Sequence, residues 1–430
     1  MVGRRWRGCQ TGPVTRESDG GFLSRQAVLG VYLPTMCFET GMGAIMPVIA
    51  PRTSELGGSL AAAGVLSALL GVGLILGDVP AGALAARVGD RRALLLAAVA
   101  TSVALAGCAL AGSVLLLAVG LLLTGATNAV YLLARQTYLV DLTPVLYRAR
   151  ALSVLGGVSR VGVFVGPFLG AGVVHLGGPV ASFWLALGVT AVGGVVVLLV
   201  PDVEAGPHVV VPPATSLRQM VREHARVYAT VGMGVMLVGA VRAARQTALP
   251  LWSEHIGLTP TATSLVFGLS GALDMALFYP AGKLMDARGR LWIAVPSMLL
   301  LGTGMAVMPL AETVGALAAV AVLLGVANGI GSGIVMTLGA DVAPPHDRTR
   351  FIGGWRLLTD VGQSAGPLLL AGGAALGSLA AGLVGVGALG VAGAGVLAGT
   401  VPRWSVHANR RTRRAAGLGP DGRALEAGEA

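Results

Sequence analysis

Charge is scarce in this sequence. Of its 430 residues only 12% are Asp, Glu, Lys or Arg, about half the fraction usual in a soluble domain. Lysine is nearly missing, because Lys283 stands alone among thirty basic residues, a usage that fits a GC-rich genome better than any chemistry. Cysteine is equally thin: Cys9, Cys37 and Cys108 show no metal-ligand spacing and form no even disulfide set, which excludes a zinc module and a disulfide scaffold. Aromatic residues make up 5%. The formal charge of +10 is therefore not a nucleic-acid footprint, since no aromatic or base-reading element accompanies the arginines. Histidine offers little, because His175, His208, His224, His255, His346 and His407 are scattered and form no His–Asp or Cys–His constellation. A membrane-embedded enzyme or scaffold is accordingly the remote alternative, and no metal site is expected. The basic start (Arg4, Arg5, Arg7) precedes polar residues rather than a short apolar stretch, so it reads as a cytoplasmic tail and not a signal peptide.

Apolar residues are what the chain has in excess. They make up 54% of it, mean hydropathy is +0.78, and no single soluble core could bury them. A bilayer core about 30 Å thick needs about 20 apolar residues per helix. Twelve stretches qualify, at 26–50, 61–85, 92–112, 115–139, 151–173, 180–200, 229–251, 262–283, 291–311, 315–339, 351–373 and 377–400. Only a turn near Gly112 and Ser113 separates the third from the fourth. No period-2 alternation appears, so the expectation is an all-α integral membrane protein with twelve transmembrane helices.

Cations orient it. With the N-terminus inside, 24 of the 30 basic residues fall on inner segments, only Arg52 on an outer loop, and five within spans (Arg135, Arg160, Arg242, Arg245, Arg356). That skew is the positive-inside pattern of a multi-pass bacterial inner-membrane protein with both termini cytoplasmic. The division is then a tail at 1–25, a six-helix bundle at 26–200, a cytoplasmic linker at 201–228, a second six-helix bundle at 229–400 and a tail at 401–430. Within the linker, Arg218, Arg222 and Arg226 recur every four residues between Ser216 and Tyr228, the spacing of a short amphipathic surface helix. The basic stretch at Arg410, Arg411, Arg413 and Arg414 is expected near anionic headgroups.

The two bundles are copies. With an offset of 200 residues, Pro80, Gly82, Leu84 and Gly89 fall on Pro280, Gly282, Leu284 and Gly289. Asn128, Asp141, Pro144, Arg148 and Arg150 fall on Asn328, Asp341, Pro344, Arg348 and Arg350. Gly162, Gly166, Pro167 and Ala171 fall on Gly362, Gly366, Pro367 and Ala371. Paired six-helix halves of this kind place a substrate site between them near the midplane.

The stretch from Gly82 to Arg92, with Arg87 and Arg91, resembles the loop signature of the major facilitator superfamily. Its counterpart from Gly282 to Arg290, with Asp286, matches better, since Ala86 stands where the family usually has aspartate. Gly162 to Gly170 resembles the motif of the twelve-helix drug/proton antiporter group, but Gly366-Pro367 repeats it in the eleventh helix. A packing role shared by both halves is therefore the preferred reading, with an antiport-specific role as the alternative. The resemblance, over about residues 26–400, implies a monomeric secondary transporter that moves a small molecule by alternating access without an organic cofactor. It also implies that helices one, four, seven and ten line the cavity. No Walker-type loop is present, so a proton gradient rather than ATP is the expected drive, and proton-coupled efflux of small organic molecules or drugs is the main expectation.

Ionisable groups inside spans cost at least about 2.5 kcal/mol each, so each needs a reason. Glu39 lies near the middle of the first span, and a three-residue gap makes Arg242 its repeat mate in the seventh. Glu39 is expected to carry the proton or bind a cationic substrate, with Asp78 assisting. The bland alternative is a fixed Glu39–Arg242 pair that tethers the halves. Arg242 and Arg245 could instead hold an organic anion, which gives the alternative of proton-coupled anion uptake. Asn128, Tyr131 and Asn328 complete the expected cavity, with Tyr32 and Gln246 as weaker candidates. The resemblance also implies helix two beside eleven and helix five beside eight, which as a gate would bring Asp78 to Arg356 and Asp274 to Arg160. An intrahelical Arg356–Asp360 pair competes with that arrangement. Arg87, Arg91, Asp286 and Arg290 are expected to switch helix ends at the inner loops. Arg135, Asp141 and Arg148 resemble a structural network of the family.

Overall fold

The computed structural model describes residues 23–143, 147–200, 222–344 and 348–417. Most of the linker, including Arg218, lies outside them, as do the side chains of Ala86, Arg348 and Arg350. Among the described residues the chain is helical throughout and has no strand. Helices α1 (Arg25–Glu55), α2 (Leu60–Val88), α3 (Asp90–Ala109) and α4 (Val114–Leu142) lead into one run from Arg148 to Leu199. As a straight helix that run of 52 residues would measure about 78 Å, more than twice a bilayer core. Gly177 and Gly178 leave helical backbone there, Gly178 at φ +69°, a region open chiefly to glycine. The chain turns back, giving α5 (148–176) and α6 (179–199).

The second half repeats the order with α7 (Ala225–His255), α8 (Pro260–Arg288), α9 (Leu291–Leu310), α10 (Val314–Val342), α11 (Arg348–Ala375) and α12 (Leu379–Trp404). A short helix α13 (Arg410–Ala415) follows. Each expected span is found as a helix, most with ends a few residues longer. The repeat extends to its capping chemistry. Hydroxyls of Ser59 and Thr259 start α2 and α8, and those of Ser113 and Thr313 start α4 and α10, each accepting from the N–H three residues on. Such caps satisfy otherwise orphaned helix donors. Ser113 thus sets the boundary between the third and fourth spans.

Taking α5 and α6 as one run, ten runs among the described residues are long and apolar enough to cross a membrane. The more polar exception is α11, whose middle carries Asp360, Gln363 and Ser364. Within the halves, α1 packs on α5, α2 on α4, α7 on α11 and α8 on α10; α2 meets α11 and α5 meets α8 between the halves. Both described ends emerge on one face, called here the tail side. On the opposite, far side the halves are sealed, with Ala50 and Ala63 of the first half buried in the core of the second. Gly64 lies against Ala371, Gly71 against Ser364 and Gly268 against Phe168. Toward the tail side, Gly82, Gly156, Gly157, Gly282 and Gly353 on the same four helices have open space where a Cβ would stand. Close contact between the halves is thus seen at the far side, along α2–α11 and α5–α8.

Candidate functional site

A cavity of about 340 Å³ lies between the halves. Its walls come from α1 (Glu39, Met42, Gly43, Ile45, Met46), α2 (Ser67, Leu70, Gly71, Leu74), α4 (Asn128, Leu132) and α5 (Val163). Across from them stand α7 (Ala243, Gln246, Thr247), α8 (Phe267) and α11 (Asp360, Gln363, Pro367). Of the expected cavity residues, Glu39 and Asn128 line it, and so does Gln246. Asp360, expected at a gate, is a second carboxylate in the same wall. Ser67, Thr247 and Gln363 were not anticipated. The signal for Gln363 lay in the polar face of α11, three residues after Asp360.

Glu39 is placed by tight crossing of α1 and α5. A Cβ on Gly162 would stand 2.7 Å from Glu39 Cβ and 2.7 Å from the Met36 carbonyl oxygen, so only glycine permits that approach. Gly362 makes the matching crossing of α7 and α11 against Met236. The motif glycines therefore pack both halves alike. Arg135 of α4 donates to Glu39 Oε1 at 2.8 Å. The fixed Glu39–Arg242 pair weighed as the alternative is not formed, because Arg135 of α4 reaches Glu39 within the same half. Tyr131 is not in the cavity. It is 2% exposed and stacks on Phe38 with ring centroids 3.9 Å apart.

The second half uses its charges differently. The backbone of α10 breaks at Gly331–Gly333, with Gly333 at φ +82°. A break frees carbonyls from the helical ladder, and Arg242 donates to that of Gly331. Arg245, 5% exposed, donates to Ser270 Oγ at 2.8 Å and pairs with Asp274 at 3.8 Å. Asn328 donates to Asp274 at 2.6 Å. Arg242, Arg245 and Asn328 thus join α7, α8 and α10 behind the cavity and do not line it.

The expected gate pairs are not formed. Arg160 lies 3.8 Å from the Phe278 ring centroid, while Asp274 is taken by Arg245. No ion pair joins Asp78 to Arg356 among the described residues. Arg356 instead faces Asp360 one turn along its own helix, at 3.9 Å.

At the tail side, Arg91 donates to the carbonyls of Val197, Leu198 and Val200, holding the end of α6. Arg87 is exposed. Arg290 binds Asp341 through Nε at 3.0 Å and Nη2 at 3.3 Å, and Asp286, itself 79% exposed, at 3.4 Å. Ser405 also donates to Asp341, at 2.7 Å, so one carboxylate joins α9, α10 and the end of α12. Asp341→Asn is expected to lower stability by about 2 kcal/mol, since a buried charge-assisted pair loses its charge. A thermal melt of purified protein checks it.

The Major Facilitator Superfamily sequence model matches residues 31–367 and, overlapping, 229–420. The chain belongs to that superfamily and is a multi-pass membrane transporter. A search of curated proteins by sequence found no match. Among solved structures, the nucleoside transporter NupG is similar at TM-score 0.73 and 11% identity, over 88% of this chain and 99% of that one. A peptide transporter POT bound to sulfate gives 0.70 and 14%, over 89% and 96%. A bacterial homologue of the human lysosomal transporter Spinster gives 0.68 and 15%, over 89% and 96%. At these identities the likeness is one of fold.

Proposed function

We propose that the chain is a proton-coupled exporter of small organic molecules, working by alternating access with its tail side cytoplasmic in a bacterial inner membrane. The observation that carries this reading is Glu39, a carboxylate in the wall of the cavity between the halves. A carboxylate used in turn by proton and substrate couples two fluxes without ATP. Proton release on the tail side readies the site for substrate, and proton entry from the far side displaces it there. Asp78 lies on α2, which packs on α11, and is proposed to assist at the tail-side mouth. The skew of arginines to one face orients the molecule. Anion uptake through Arg242 and Arg245 loses its support, because both lie outside the cavity lining.

Flux in proteoliposomes under an imposed pH gradient tests the proposal. Glu39→Gln is expected to lower gradient-driven flux at least about tenfold, since an amide keeps the shape and loses the titrating group. Wild-type flux that still follows the gradient in this variant sinks the coupling role.

A further inference from the structure

We infer that the substrate is a small organic cation bearing an N–H, such as a protonated amine or amidine, held between Glu39 of one half and Asp360 of the other. The inference deepens the transporter reading above and rests on it.

The lining carries two carboxylates and no arginine, lysine or histidine. All the basic side chains expected there point elsewhere: Arg242 to Gly331, Arg245 to Ser270 and Asp274. Asp360 is 6% exposed. Its Oδ1 accepts from Gln363 at 3.1 Å, while its Oδ2 accepts no hydrogen bond, Arg356 standing 3.9 Å away. Asn128 Oδ1 is buried in the lining without a partner as well. Every buried, unpartnered side-chain polar atom in this lining is thus an acceptor. A buried acceptor left unmade is costly, and a ligand that donates relieves that cost. An anion or a purely accepting ligand would add to it.

Glu39 fits the same chemistry. Arg135 takes Oε1 from outside the cavity and leaves Oε2 without a hydrogen bond among the described residues. The remaining wall is apolar and adaptable, with Met42, Met46, Leu70 and Phe267. The volume sits at the low end of the range of about 300–1,000 Å³ found for ligand pockets, and unbranched methionine moulds to varied hydrocarbon. The ligand is then a compact apolar body with one protonated nitrogen. Because the two carboxylates belong to opposite halves, the bound cation draws the halves together, and a proton on either carboxylate weakens that bridge and releases it.

Calorimetry on the full chain in nanodiscs, with phenylbutylamine, phenylbutanol and phenylbutyrate as probes, tests the assignment. The amine is expected to bind at least about tenfold more tightly than the alcohol or the carboxylate, the gain of a charge-assisted hydrogen bond. Asp360→Asn should remove most of that preference, and a melting temperature close to that of wild type reports an intact fold. An amine no tighter than the alcohol overturns the inference, whether both bind or neither does. So does tighter phenylbutyrate, or an unchanged amine affinity in Asp360→Asn. The wild-type comparison stands even where the variant does not fold. Flux is read separately: amine selectivity without gradient-driven flux sinks the proton-coupled reading alone, and coupled flux without amine selectivity sinks this inference alone.

Discussion

Replacing Arg245 by alanine is expected to destabilise the folded protein by about 3–5 kcal/mol, the cost of leaving a buried charge without its partner. Arg245 is almost fully buried, and its guanidinium faces Asp274 at 3.8 Å and Ser270 at 2.8 Å. Truncation strands Asp274 with only the Asn328 amide donating to it. The repeat itself supplies the rescue. The positions matching Arg245 and Asp274 in the first half are Met42 and Leu74, so that half carries apolar side chains at both places. The double variant Arg245→Met, Asp274→Leu is expected to recover to within about 1–2 kcal/mol of wild type, because a well-packed apolar pair often replaces a buried ion pair without loss. Reversible unfolding in detergent would measure both. Wild-type stability in Arg245→Ala would show that the pair contributes nothing to the fold.

Gly162→Val is expected to be strongly damaging although the residue has no chemistry of its own. Its Cβ alone would sit 2.7 Å from Glu39 Cβ and from the Met36 carbonyl, and the obstacle includes backbone, which cannot rotate aside. Relief requires α1 to move off α5, at about 3 kcal/mol or more. That movement also displaces the Glu39 carboxylate, so residual folded protein should show reduced flux. Gly82→Ala is the contrasting case. Nothing lies within 4 Å of the place its methyl group would take, and alanine is the better helix former by about 1 kcal/mol, so its melting temperature should hold or rise. Equal losses from both substitutions would refute the packing argument.

Much of this architecture was legible in the chain because bilayer chemistry acts one residue at a time. The twelve apolar stretches, the turn at Ser113 and the repeat of Pro80 on Pro280 or Gly162 on Gly362 each follow from local composition, and each appears as a helix, a cap or a crossing. The place of Glu39 near the middle of its helix was legible for the same reason, since it follows from counting residues along the span.

Facing was not legible, because almost every span is apolar on all sides and no hydrophobic stripe reports its rotation. Hence Arg242 and Arg245, at the right depth, turn out to point behind the cavity. The partner of Glu39 proved to be Arg135 rather than Arg242, since a helix crossing inside one half outranks a symmetry relation between halves. Asp360, read as part of a gate, proved to share the cavity wall with Glu39, a fact set by the rotation of α11. Composition and spacing by themselves determined that this chain is a two-fold repeat of membrane helices with ionisable groups within the spans, because burial of apolar residues and the cost of intramembrane charge depend on the residues alone. Only the tertiary structure decided which of those charges share a cavity and which merely join helices, because a side chain's partner depends on the rotation and crossing of two elements far apart in sequence.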